Sequence, residues 1–463
     1  MPKKVQAMVI GAGISGLAAA YHLQKARVDT LLVDAAHRPG GVICSVARDG
    51  YLVECGPQSF SCSPALTALF AELNLLPDRV IANPKEPRYV LIDGVLQAVP
   101  TSPAGLLASP FLSGGTRFAL LRDIFGHSRP PDSDESIAQF VRRKFSATLL
   151  ERLVAPFVSG IYAGDPEKLS LRAAFPAVYE AECKSGSILR GMFHKANKNS
   201  TINPSEKPNV QSFRCGNEQF TLALAAALGE HLLLNKEAIS IAALPRSSEQ
   251  NATRFQVTVR GIKGQEIIEC ERLLLTVPAD VAALMLNALD TGFFDPLSGV
   301  EYAGVAVVSL GYPNEAIQRG ANGFGFLVPR SSGLSVLGTV WNSSLFPGRA
   351  PAGHSLFTSF VGGVTNPSAV QQSPASLAAL VHREIAPILS LNQGFTFSHV
   401  TAWPRAIPQY NLGHTARIQK IRTLLTNFPG LHLAGNYLNG PAIPVCIQQA
   451  QDLAAEIRIS FAN

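Results

Sequence analysis

One short stretch limits what this chain can become more than any other. Val5 to Ile10 reads as an apolar strand and Leu17 to Gln24 as a helix, and Gly11, Gly13 and Gly16 lie between them within six residues. Gly11 can take a tight turn where a Cβ would clash. Gly13 allows a phosphate-bearing ligand to approach the backbone, and Gly16 lets helix and strand pack closely. The helix start, with Ser15 inside the loop, offers free N–H groups and a partial positive charge to phosphates. Thr30 to Val33 reads as the next strand and Asp34 ends it, which places a carboxylate where a ribose hydroxyl would lie. Strand, loop, helix, strand and terminal acid all fall in register. This predicts a bound adenine dinucleotide rather than a chance glycine turn.

Other classes are excluded by composition. The 463 residues are 47% hydrophobic and 16% charged, enough for a large core and too apolar for a disordered chain. The formal net charge of +6 is scattered, which argues against nucleic acid and leaves an anionic substrate or an anionic membrane surface open. Seven cysteines without a C-x-x-C pair disfavour metal sites and disulfides and suit a reducing cytoplasm; each reads as a small buried hydrophobe. The apolar N-terminal strand runs straight into the glycine loop, unlike a signal peptide. The uncharged stretch Gly94 to Thr116 contains Pro100, Pro103 and Pro110, so no lipid-spanning helix is expected there.

Along the chain, Arg88 to Val99 reads as a hairpin around Asp93-Gly94. Ile137, Phe140, Val141, Phe145, Leu149 and Leu153 recur at helical spacing, which predicts one amphipathic helix. Its Arg142-Arg143-Lys144 run reads as a solvated face in preference to a membrane contact. His194 to Pro208 reads as a polar loop. The run Leu273 to Val277 predicts a buried strand returning to the first sheet, and Leu431 to Gly440 a strand with a glycine turn before a last helix.

Further motifs carry a resemblance. Arg38-Pro39-Gly40-Gly41 follows Asp34, a second glycine pair that a plain nicotinamide site does not need, and Gly56, Pro57 and Gln58 follow in "ECGPQSF". This resembles the flavoproteins of the amine oxidase and protoporphyrinogen oxidase superfamily and implies FAD. "FVSGIYAGDPEKLS", "GFGFLVP", "LGTVWNSSLFPGRAP", "SFVGG", "WPRAIPQYNLGH" and "LAGNYLNGPA" occur in the order of the porphyrinogen oxidase branch and span nearly the whole chain. The Ala434-Gly435-Asn436 triplet favours that branch over amine oxidases and carotenoid desaturases. The GDP dissociation inhibitors resemble the fold without using flavin, and the intact loop with Gly40-Gly41 argues against that binding-protein alternative.

The resemblance implies an α/β fold with three parts. A Rossmann-like FAD-binding domain would be assembled from 1–83, 211–280 and 420–463, a mixed α+β substrate domain from 84–97 and 281–419, and a helical insert from 98–210. It implies a six-electron oxidation of protoporphyrinogen or coproporphyrinogen, with electrons passing to FAD and then to molecular oxygen to give peroxide. No metal and no catalytic side chain is implied. A peripheral contact with the cytoplasmic membrane, through Leu106, Leu107, Phe111 and Leu112, stands against core packing in the insert. Hand-over of the product to a ferrochelatase is also implied.

Residue by residue, the resemblance assigns Arg88 to a substrate carboxylate and Gly160 to the macrocycle, with Leu327, Val340 and Phe360 sandwiching it. Ala238 would meet the adenine through its backbone and Trp403 would line the flavin. Gly435, Asn436, Ala442 and Ile443 join the glycine loops at the cofactor. His414 reads as structural. Two departures stand out: Asp34 replaces the commoner Glu, and Pro444-Val445 replaces Gly-Arg before Cys446, which removes a backbone donor.

Overall fold

The structure, a computed structural model, describes residues 2–100, 105, 109, 111–126, 129–188, 190, 209–244, 254–318 and 320–462. Leu106, Leu107 and the polar stretch His194 to Pro208 lie outside these described residues.

The elements that position the site begin with β1 (Lys3–Ile10), α1 (Ile14–Lys25) and β2 (Thr30–Val33). Two hairpins follow, β3 (Ser45–Arg48) with β4 (Tyr51–Glu54), and β5 (Arg88–Ile92) with β6 (Val95–Ala98). The insert contributes α2 (Ile137–Lys144) and α3 (Ala155–Tyr162). Then come α4 (Glu218–Leu228), β7 (Leu232–Leu233), β8 (Glu237–Leu244), β9 (Arg254–Gly261) and β10 (Gly264–Leu275). The remainder is β11 (Tyr302–Pro313), β12 (Gly325–Leu327), β13 (Val336–Trp341), β14 (His354–Gly362), α5 (Pro374–Leu389), β15 (Phe397–Pro408), α6 (His414–Leu425), β16 (Leu431–Leu433) and α7 (Ile443–Ala462).

The first sheet has the order β7-β2-β1-β10-β9-β8, with β16 beside β10. β1 runs parallel to both β2 and β10, and β16 is parallel to β10, so the expected return of the Leu273 run is present. From Ala7 to Ile10 β1 is buried on both faces, which explains the apolar run there. Ala7 and Val9 pack under α1 and α7, whose Ala18, Ala19, Ala450 and Ala454 permit close approach, while Val5, Met8 and Ile10 pack against the helix Ala279–Leu286.

The second sheet has the order β15-β11-β14-β13-β12-β5-β6. One face is covered by α5 through Leu377, Val381 and Ile385, which meet Val308, Leu310 and Phe357. The other face turns Val90 and Leu327 toward the insert's Val158 and Tyr162. The hairpin at Asp93-Gly94 is present, both residues at positive φ (49° and 79°), as a type I′ turn requires.

The insert corrects three expectations. The single helix is broken: Phe145 leaves the helical region (φ −131°, ψ −99°), and Ser146 caps a new start by accepting from the Leu149 N–H. The Arg142-Arg143-Lys144 run is not a solvated face throughout. Only Arg142 meets an exposed partner, Glu167; Arg143 binds Glu135 and Glu182, and Lys144, 8% exposed, lies 2.6 Å from Asp123. Phe111 and Leu112 are buried at 1% and 3% in the insert's core with Phe140 and Val141, so these two belong to packing rather than to a surface patch. No helix among the described residues is long and apolar enough to cross a membrane.

Candidate active site

The glycine loop is built as its spacing predicts. Gly11 sits at φ +105°, where its own Cβ would meet Thr276 Oγ1 at 2.9 Å. A Cβ on Gly16 would overlap the Gly11 carbonyl oxygen. Gly13 differs, because nothing stands within 4 Å of where its Cβ would be. Gly13 is also the N-cap of α1 and supplies no side-chain cap, so the helix end points its N–H groups into that open space. The two tight glycines shape the turn and the open one leaves room for a ligand. Thr276, which the sequence reading passed over, holds the loop from below: its hydroxyl donates to the Gly11 carbonyl at 2.6 Å. Its signal was its place at the end of a strand expected to return beside β1.

Asp34 closes β2 and folds onto the loop. Its Oδ2 accepts from the Ala12 N–H at 2.5 Å and its Oδ1 from the Ala36 N–H at 2.7 Å. The shorter acid thus braces the loop, and each oxygen keeps a lone pair for a ribose hydroxyl. Ala238 is the second residue of β8, opposite Val259 and just beyond Lys236, whose N–H donates to the Asp34 carbonyl. That sets Ala238 on the Asp34 side of the loop.

The second glycine pair locks onto the first. Gly40 donates to the Ala12 carbonyl at 2.8 Å, and Gly13 and Gly40 bridge as parallel strands. Gly40 and Gly41 adopt φ +101° and +60°. Arg38 holds this turn from inside, donating to the carbonyls of Pro39, Gly41 and Ile43 and pairing with Glu218 at 3.6 Å. Its guanidinium therefore has structural work besides any phosphate.

A third backbone segment closes the cradle. A Cβ on Gly56 would overlap the Val42 carbonyl oxygen, so β4 must leave its hairpin through a glycine. The Pro57 carbonyl accepts from Asn217 Nδ2 at 2.8 Å. Gln58 is buried and spends its amide on the Glu54 and Gly56 carbonyls and on Asn342, which makes it a brace of the cradle. Trp403 donates its indole N–H to the Cys55 carbonyl at 2.6 Å, tying β15 to this segment. The sequence reading missed the buried pair beneath it: Glu54 and Arg349, each 2% exposed, lie 3.0 Å apart.

The C-terminal segment meets the loop from the other side. Gly435 (φ +153°) donates to Gln449 Oε1 at 3.1 Å, and the Asn436 carbonyl accepts from the Tyr410 hydroxyl. α7 starts at Ile443, which puts Pro444 at the second helical position, where no intrahelical acceptor exists for an N–H anyway. The N–H groups of Val445 and Cys446 bond the Ala442 carbonyl, leaving Ala442 and Ile443 as the donors available at this helix start. His414 lies flat on Tyr410 (4.3 Å, 9°), and burial pushes its imidazole down to about 4, as suits a packing residue.

Beside the cradle, α3 lies across the second sheet. A Cβ on Gly160 would come 2.6 Å from Leu327 Cδ2, so helix and strand touch where a side chain would be. Leu327 pairs with Gly338, which pairs with Phe360, forming one row across three strands. Val340 lies in the next row, opposite Gly325 and Thr358. Leu327, Val340 and Phe360 thus share the face turned away from α5, all partly exposed. Arg88 starts β5 opposite Gly325, exposed, with its guanidinium 4.8 Å above the Phe324 ring. The structure gathers the glycine segments at Gly13, Gly40 and Gly41 with Asp34 around one turn, and brings Gly160 against Leu327 on the sheet face shared with Val340 and Phe360, while Arg38 and Gln58 spend their side chains on backbone carbonyls.

The open space at Gly13, the uncapped end of α1, and the facing turns at Gly41 and Gly435 fit an extended dinucleotide. The sequence matches the flavin containing amine oxidoreductase family over residues 14–458. The chain belongs to that family. Membership makes the protein an oxidoreductase and its cofactor a flavin, and the dinucleotide cradle makes that flavin FAD. Among curated relatives, it is 35% identical to the chloroplastic protoporphyrinogen oxidase of Nicotiana tabacum, over 98% of this chain and 85% of that one. It is 29% identical to the coproporphyrinogen III oxidase of Bacillus subtilis (strain 168), over 97% of both. A crystal structure from Exiguobacterium sp. 255-15 superposes with a TM-score of 0.79 at 24% identity, over 99% of each chain, which shows the same fold.

Proposed function

We propose that the protein oxidises a porphyrinogen, protoporphyrinogen IX to protoporphyrin IX, with FAD as electron acceptor and molecular oxygen as the final one. The observation that carries this reading is the sheet face beside α3 that Leu327, Val340 and Phe360 share, all partly exposed. The assigned residues, Gly160, Leu327, Val340 and Phe360, are flat or apolar, and none is titratable. Such a surface suits a large flat substrate whose oxidation gains aromaticity and needs no strong acid or base. The full-length similarity to porphyrinogen oxidases supports it.

FAD, when bound, accepts electron pairs, and three transfers complete the six-electron change. This chain's part is positional. With the Leu327 side chain turned aside, Gly160 would let the macrocycle lie against helix backbone, while Val340 and Phe360 would exclude water from its faces. Arg88, at the edge of the same sheet, offers a forked donor to a propionate. Peroxide is the product from oxygen. A cytoplasmic location with a peripheral membrane contact, and hand-over to a ferrochelatase, belong to the same proposal. Of the insert's apolar side chains, Phe118, Phe157 and Ile161 are exposed and would serve that contact in place of Phe111 and Leu112.

The test is to supply protoporphyrinogen IX and coproporphyrinogen III separately, in air, to the yellow protein. Porphyrin fluorescence should rise faster than in an enzyme-free control, and faster from protoporphyrinogen. A faster rise from coproporphyrinogen reassigns the substrate, and a rate no higher than autoxidation from either overturns the proposal.

A further inference from the structure

Two thiols face each other where the β3–β4 hairpin enters the flavin cradle. The ladder pairs Ser45 with Glu54, and one step further the Cys55 N–H donates to the Cys44 carbonyl at 2.8 Å. Directly opposed residues of such a pair have Cα atoms about 5.5 Å apart and side chains on one face, within the roughly 4.4–6.8 Å that a disulfide spans. Cys44 is half-buried and open to a small oxidant; Cys55 is 3% exposed. The Cys55 sulfur lies 3.6 Å from His399 Nε2, which also meets Thr401 Oγ1 at 3.3 Å. Burial, with Arg48 nearby, holds His399 below its ordinary range, which favours the neutral ring beside the thiol. Burial also pushes the Cys55 thiol up to about 12, which leaves Cys44 as the thiol that reacts first.

We propose that Cys44 and Cys55 form a peroxide-responsive dithiol at the entrance to the flavin cradle. The Cys44 thiolate attacks one peroxide oxygen; the S–O bond forms, the O–O bond breaks, and hydroxide leaves to become water. The Cys55 sulfur then attacks the Cys44 sulfenic acid. The S–S bond forms, the S–O bond breaks, and a second water leaves with the Cys55 proton, relayed by His399. Both sulfurs are oxidised and one hydrogen peroxide is reduced to two waters. The link would brace the segment between Ile43 and Gly56, whose carbonyl at Cys55 is gripped by Trp403. The proposal rests on the oxidase reading only for the natural source of peroxide.

The test uses added hydrogen peroxide and is therefore independent of substrate turnover. The flavin-loaded protein is treated at neutral pH, free thiols are alkylated, and the chain is digested and mapped by mass spectrometry. A Cys44–Cys55 linked peptide is expected, with two of the seven free thiols lost. Cys44→Ser should leave Cys55 alkylatable, Cys55→Ser should leave a sulfenic acid at Cys44 trapped by dimedone, and His399→Phe should slow linking several-fold. The wild-type map suffices if a variant fails to fold. Full alkylation of both thiols after peroxide, or oxidation confined to the exposed Cys183 and Cys215, overturns the proposal.

Discussion

Gly160 and Leu327 touch across the space that a side chain at 160 would need, with Leu327 Cδ2 2.6 Å from the position of that Cβ. The obstructing atom ends a flexible side chain, so the fold can yield and the slot cannot. Gly160→Ala should leave the melting temperature within a few degrees of the parent. It should lower kcat/KM for the porphyrinogen about tenfold, equivalent to about 1.4 kcal/mol. Adding Leu327→Ala should recover part of the loss. Steady-state kinetics on the single and double variants check this, and an unchanged Gly160→Ala enzyme would remove Gly160 from the slot.

The glycine loop offers a sharper contrast. At Gly16 a methyl group would meet backbone, the Gly11 carbonyl, which has nowhere to go. Gly16→Ala should cost about 3 kcal/mol of stability even without flavin. Gly13 has open space and a φ of −68° that any residue accepts. Gly13→Ala should therefore leave the flavin-free protein as stable as the parent and weaken flavin binding. Thermal melts of the flavin-free proteins, together with flavin retained through gel filtration, separate the two effects.

In the insert, Lys144 lies 2.6 Å from Asp123 and, alongside Arg143, 3.5 Å from Glu182, both acids essentially inaccessible. Lys144→Met takes the ion pair from buried Asp123, while Glu182 keeps Arg143, which should cost about 3 kcal/mol. Arg142→Ala, two residues earlier, loses only an exposed pair with Glu167 and should hardly move the urea midpoint. Equal effects from the two would mean the buried cluster is not formed.

Acid should loosen the protein through His414 and His432, both pushed from the ordinary 6.5 down to about 4 by burial. Between those values the unfolded chain binds more protons than the folded one, so stability is full above 6.5 and falls as pH drops toward 4. His414→Phe with His432→Leu should flatten this decline. Urea unfolding at pH 7 and pH 5 measures it, and an identical slope in the double variant would place the acid sensitivity elsewhere.

Local physics made the cofactor half readable. Gly11, Gly16 and Asp34 are set by turn geometry and strand periodicity, which a sequence displays directly. The insert was less legible because its partners are distant: Arg143 meets Glu182 across 39 residues, and nothing near Arg143 announces it. The break at Phe145 was hidden by apolar spacing that continues through it, although Ser146 was a helix-start residue in plain view. Arg349 was invisible as the partner of Glu54, since a buried ion pair between segments nearly three hundred residues apart leaves no local pattern. The slot residues came from resemblance, because Leu327 or Val340 taken singly looks like any core aliphatic.

The order of the first sheet also sets a timetable. β1 and its glycine loop are made well before β10 and β16, which fill the sheet, and before α7, which covers α1. At roughly 5–20 residues per second, the loop waits about 20–90 s for the segment beginning at Gly435. Until β10 is made, β1 is therefore an apolar strand unpaired on one side, and the cradle lacks its C-terminal segment. A ribosome-bound chain stalled before Leu431 should be colourless and dependent on chaperones, whatever the flavin supply.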